Sequence, residues 1–142
     1  MKNFQLVRPR RGVHYVYFNA NPKKLETSDC VIRAFAIALD RSWYDIFDAL
    51  TAISRENATV PDSDDCWKQF LACQPVEPVQ TIRKRKHLYR DGDAFARAHA
   101  KGRYILTMAN HLSVCVDGVI YDIWDCSDKM VYKAYKVVGS DV

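Results

Sequence analysis

With 142 residues, 49% of them apolar and 27% charged, the chain has the size and balance of one soluble globular domain able to bury a core without staples, which excludes a disordered or fibrous protein. A net charge of +4 is too modest to indicate nucleic acid by itself. The N-terminal run Met1-Lys2-Asn3-Phe4-Gln5-Leu6-Val7-Arg8-Pro9-Arg10 has no long apolar stretch, so neither a signal peptide nor a membrane association is expected, and a cytoplasmic setting is the default. The cysteines, Cys30, Cys66, Cys73, Cys115 and Cys126, are odd in number and show no CxxC pair, which speaks for reduced thiols and against a disulfide framework or a structural zinc site.

In chain order, Val13 to Phe18 is rich in aromatic and β-branched residues and reads as a short strand ending in the turn cluster Asn19-Ala20-Asn21-Pro22. Thr27 or Ser28 then suits the N-cap of a helix in which Cys30 falls at the second or third position. There the free N–H groups and the positive end of the helix dipole favour thiolate, the state that attacks carbonyls. Beyond Cys30 the helix is apolar nearly all round through Leu39, broken only by Arg33, so most of its circumference should be packed. Ser42 suits the cap of a second helix from Trp43 to about Ser54, with Ile46, Phe47, Leu50 and Ile53 on its apolar face. A third, Asp64 to Ala72, points Trp67, Phe70 and Leu71 inward, and Cys66 and Cys73 share a face as core thiols.

After Pro75 the pattern changes. Val79 to Ile82 suits a short strand, and the run Arg83-Lys84-Arg85-Lys86-His87-Leu88-Tyr89-Arg90 is the chain's basic patch, readable as a solvated loop or strand edge or as a contact for phosphates or an acidic partner. Asp91 or Asp93 suits the cap of a helix over 94–101 closed by Gly102. The rest is β: Arg103 to Ala109, His111 to Val116, Val119 to Trp124 and Met130 to Val138.

Asp117-Gly118 is a two-residue hairpin turn, which sets Val116 opposite Val119, Ser113 opposite Asp122 and His111 opposite Trp124. Leu112, Val114, Val116, Val119, Tyr121 and Ile123 then share an apolar face. His111, Ser113, Cys115, Ile120, Asp122 and Trp124 share the other. His111 and Asp122 become diagonal neighbours, close enough for a carboxylate to orient an imidazole. A bulge or longer turn would flip the parity and bring Asp125 beside His111 instead.

A cysteine opening an Ala-rich helix in Ser28-Asp29-Cys30, then His111-Leu112-Ser113-Val114-Cys115-Val116 and Tyr121-Asp122-Ile123-Trp124-Asp125, resembles the papain-like cysteine peptidase superfamily, in particular its compact bacterial and phage members. The resemblance implies an α+β fold in one domain over 1–142, with N-terminal helices and a buried Cys-bearing helix packed on a C-terminal antiparallel β-sheet. It implies a Cys30, His111, Asp122 triad, with Asp125 the alternative third member, and no metal or organic cofactor. The Cys30 backbone N–H would supply one oxyanion donor. Such enzymes add a Gln or Asn side chain from just upstream, and since Lys24 stands six residues before Cys30, Asn19 and Asn21 are the candidates.

The expected activity is hydrolysis of a peptide or isopeptide bond in a protein or peptide substrate through a thioester. Two alternatives stand beside it. The same triad could serve an acyltransferase or a glutamine deamidase, or the fold could be a non-enzymatic module binding an acidic partner or nucleic acid through Arg83, Lys84, Arg85 and Lys86.

Overall fold

The computed structural model describes residues 1–139. Strand β1 (Tyr15–Tyr17) precedes helices α1 (Cys30–Leu39), α2 (Trp43–Asn57) and α3 (Asp64–Ala72). Strand β2 (Val76–Val79) and the small hairpin β3 (Ile82–Arg83) with β4 (Lys86–His87) follow. Helix α4 (Gly92–Ala98) then leads into β5 (Arg103–Met108), β6 (His111–Val116), β7 (Val119–Asp122) and β8 (Lys133–Val137). The protein is thus α+β.

Strands β5 to β8 form an antiparallel centre, but the sheet is neither wholly C-terminal nor wholly antiparallel. Its order is β1-β7-β6-β5-β8-β2. Strand β1 lies parallel to β7, with Tyr17 beside Asp122, and β2 lies antiparallel to β8, with Val76 beside Val137. Edge strands expose unpaired amides, and these two N-terminal segments cover both edges of the centre.

Alternation along the strands divides the core. Ile105, Leu112, Val114, Val116, Val119 and Tyr121 face α1, α2 and α3, and pack with Phe35, Ile37, Ile46, Leu50 and Phe70. Tyr104, Leu106, Met108, Cys115 and Ile120 face the other way, toward Phe95 and Ala96 of α4. Each fully buried Phe, Ile or Leu contributes roughly 1.5–3 kcal/mol, so the layer around α1 is the main anchor of whatever its first turn carries.

Helix α1 is buried from Val31 through Ala38, Arg33 included. Its N-cap is Asp29 rather than Thr27 or Ser28, so Cys30 is the first helical residue, and the Asp29 carboxylate makes no cap bond. Ser42 caps α2 through the Asp45 N–H at 3.1 Å, and the helix continues to Asn57, where Ala58 adopts the left-handed conformation. Phe47 stacks on Trp43 near the surface, centroids 5.1 Å apart, instead of entering the core with Ile46 and Leu50. In α3, Cys66 is buried. Cys73 stands at the helix C-cap and is exposed, because the chain has left the helix before its side chain can turn inward.

Asp91 caps α4 through the Ala94 N–H, and the helix stops at Ala98, short of Lys101. Gly102, at φ 106°, belongs to the turn into β5, where its N–H donates to Asp117 Oδ1 at 2.8 Å. The β6–β7 hairpin has Val116 opposite Val119, with Asp117 and Gly118 both at positive φ as a two-residue turn of this type requires. Strand β7 ends at Asp122 instead of Trp124, and β8 starts at Lys133 instead of Met130. Among the described residues no helix is long and apolar enough to cross a membrane.

Candidate active site

The first turn of α1 overhangs the end of the sheet where β6 begins and β7 stops. A cleft of about 310 Å³ opens there, and Cys30, Val31, Trp67, Thr107, Met108 and His111 are among its walls. The Cys30 side chain is half-buried. Burial by itself would raise its pKa. The nearby His111 imidazole and Leu112 N–H, together with the charges of His111 and Arg33, outweigh that, and the thiol sits below its ordinary value.

His111 is the first residue of β6, and its Nε2 meets Asp122 Oδ2 at 2.7 Å. With Nε2 so engaged, Nδ1 is the ring nitrogen left for another partner. Asp122 is 2% exposed and has both oxygens occupied. Oδ2 also accepts from Ser113 Oγ at 2.6 Å, while Oδ1 accepts from Arg33 Nη1 and from the Ile123 N–H, each at 2.8 Å. Burial disfavours the carboxylate, but these donors prevail and its pKa falls to about 2. The imidazole responds in the opposite sense. Burial would lower it, yet the bond to Asp122 and that carboxylate's charge, with Cys126 and Cys30 nearby, push it up to about 11, which favours the imidazolium.

Arg33 ties this cluster to the base of α1. Its Nε donates to Asp29 Oδ1 at 2.7 Å while Nη1 reaches Asp122. Asp29 Oδ2 accepts from Trp43 Nε1 at 2.9 Å and Asn21 Nδ2 at 3.1 Å. This explains why Asp29 does not cap α1: its carboxylate is turned toward the guanidinium and the indole. The first-turn amides of Cys30 and Val31 are consequently left without a side-chain cap at the cleft.

Asn19 and Asn21 do not line this cleft. Both are 4% exposed. Asn19 Nδ2 donates to the Leu25 carbonyl, and Asn21 Oδ1 accepts from the N–H groups of Lys23 and Leu25. Their amides fold the loop that delivers Asp29. The Asn that borders the cleft is Asn110, in the β5–β6 turn at φ 53°. Asp125 is exposed and accepts from Ser127, away from His111. Trp124, 41% exposed, tilts over the His111 ring at 4.9 Å and shields one face of it.

Sequence reasoning missed Arg33, Asp29, Ser113 and Cys126 as members of this constellation. One signal was present: a single arginine inside an otherwise apolar helix needs buried carboxylates, and Asp29, four residues earlier, is the nearest. Cys126 gave no such sign. It is fully buried, with Sγ 3.5 Å from Ser113 Oγ and from Asp122 Oδ2. Burial and the Asp122 charge raise its pKa against the opposing bonds from His111 and Ser113, so it stays a neutral donor.

His111, Asp122 and Cys126 bring their ligand-type atoms within 4.8 Å of one another. Those atoms are taken up by each other, and Arg33 already sets a cation on the same carboxylate, so the trio behaves as a hydrogen-bond cluster rather than a cation site. What the arrangement offers is a thiol biased toward thiolate, an imidazolium held by a carboxylate, and N–H donors at a helix start. Comparison of the chain with protein-family models, with curated proteins and with solved structures found no significant match.

Proposed function

We propose that the protein is a cysteine hydrolase of amide bonds on a papain-like fold, with Cys30 as nucleophile, His111 as acid and base, and Asp122 as the group that orients His111. The observation carrying this reading is that one imidazole is bonded by a buried carboxylate at 2.7 Å on Nε2 and lines the same open cleft as a helix-start cysteine whose thiol is shifted below its ordinary value.

In the reaction, the Cys30 thiolate adds to the carbonyl carbon of a peptide or isopeptide bond, and the carbonyl electron pair moves to oxygen, where the Cys30 N–H donates to it. Collapse expels the amine, which takes the proton from His111 and leaves a thioester on Cys30. His111 next removes a proton from water, the hydroxide displaces sulfur, and the carboxylic acid product leaves with the thiolate–imidazolium pair restored. Asp122 keeps the ring in the tautomer and rotation this requires.

The test is alkylation by iodoacetamide at pH 5 to 8, mapped cysteine by cysteine, alongside turnover of a peptide library by the unsubstituted and Cys30→Ala proteins. The expected result is Cys30 labelling that persists as pH falls, and turnover that vanishes in Cys30→Ala. Equal hydrolysis by both proteins would end the reading. Mass spectrometry of the products separates cleavage from crosslinking and from the one-dalton shift of deamidation.

A further inference from the structure

The hairpin β3–β4 is built against its own stability. Its turn residues, Lys84 and Arg85, lie at φ 51° and 64°, where Asn-Gly would rest easily and long side chains are strained. Across the hairpin Arg83 faces Lys86, a like-charge pair directly opposed. Strands of two residues recover little from pairing. Arg83, Lys84, Arg85 and Lys86 are all exposed, and among the described residues none has a carboxylate partner. Local conflict of this kind, where neutral residues would fold better, points to a surface used for binding.

An aromatic platform adjoins the cations. Tyr132, 44% exposed, meets the exposed His87 ring edge-on at 6.0 Å, and Ile82, 49% exposed, stands opposite His87 on the hairpin. The Tyr132 backbone holds this ring in place, its carbonyl accepting from Thr81 Oγ1 and its N–H donating to Thr107.

We infer that the β3–β4 hairpin together with Tyr132 and His87 forms a binding surface for single-stranded nucleic acid. Unpaired cations attract the phosphates, and exposed rings offer faces on which unstacked bases rest. An acidic peptide would use the cations and leave the rings idle, and a duplex keeps its bases out of reach. The surface is separate from the thiol chemistry, although Thr107, whose carbonyl holds Tyr132, is also a wall of the Cys30 cleft.

The test is fluorescence anisotropy with a labelled 12-mer of oligothymidylate, titrated with the full chain between 50 and 200 mM salt. Neutralising the phosphates opposite the hairpin's cations gives a slope of about −3 in log affinity against log salt, hence a loss of about 50-fold across that range. Lys84→Asn with Arg85→Gly keeps the turn in its preferred chemistry while removing two charges, so affinity falls and the slope roughly halves with the unfolding midpoint held or raised. Tyr132→Ala weakens binding about tenfold with the slope unchanged. Cys30→Ala binds as the unsubstituted chain does, which keeps this outcome apart from that of the hydrolase reading. No binding at 50 mM salt, polyglutamate bound as tightly as the oligonucleotide, or binding indifferent to the turn variant would each overturn the inference.

Discussion

The end of the sheet beneath α1 and the β3–β4 hairpin are both dense in charge, and they handle it in opposite ways. Around α1, Asp29, Arg33, His111 and Asp122 are almost wholly out of water, and each is joined to an opposite charge at about hydrogen-bond length. On the hairpin the cations face solvent, and among the described residues no carboxylate answers them. In a low-dielectric interior an unpaired charge costs several kcal/mol, so pairing is enforced and the protonation state of each group follows from its partners. At the surface water screens the repulsion, and the same charges remain free to attract an outside polyanion.

Removing a buried charge of the cluster should therefore cost both chemistry and stability, whereas removing charge at the hairpin should cost affinity without costing stability. The largest effect expected is loss of amide hydrolysis in Cys30→Ala with the fold retained by circular dichroism. Asp122→Asn should follow, lowering kcat by roughly 10³–10⁴ because the imidazole loses the partner that sets its tautomer. Arg33→Met leaves Asp29 and Asp122 buried without their cation and should cost about 3–5 kcal/mol in urea unfolding; a cost under 1 kcal/mol would mean that the cluster is solvated after all.

The pH dependence of stability has two limbs. Asp122 is depressed from 3.8 to about 2, so its contribution is whole above pH 3.8 and is lost as pH falls through 2. His111 is raised from 6.5 to about 11, so its contribution is whole below pH 6.5 and drains away as pH rises toward 11. The lowered pKa of Cys30 opposes that alkaline loss, since the folded thiolate is favoured more as pH climbs. Urea midpoints across pH should show a plateau between these limits, with the acid limb flattened in Asp122→Asn. The smallest effect is at the hairpin, where Lys84→Asn with Arg85→Gly should add about 1–2 kcal/mol by relieving the left-handed conformation, measured in the same unfolding assay.

How far the site could be read from the chain depended on which kind of relation carried each part. The Asp117-Gly118 turn has one preferred geometry and strands have a period of two, so the pairing of Val116 with Val119 and the shared face of His111, Ser113 and Asp122 followed from counting. The apolar run after Cys30 likewise announced a buried helix. The N-cap did not follow, because Thr27, Ser28 and Asp29 are all good caps and the choice fell to the residue that Arg33 and Trp43 draw in. Nor did the parallel addition of β1 to β7, which pairs segments about a hundred residues apart.

Patterns with a short repeat are therefore legible in this chain: the helices, the central hairpins, and the parity that sets His111 and Asp122 on one face. Which carboxylate meets Arg33, that Cys126 closes the cluster, and that Asn19 and Asn21 serve a loop instead of the cleft were settled by packing. Those outcomes turn on ångström-scale distances between remote groups in a dry interior, where each donor takes the nearest acceptor, and no local periodicity encodes them.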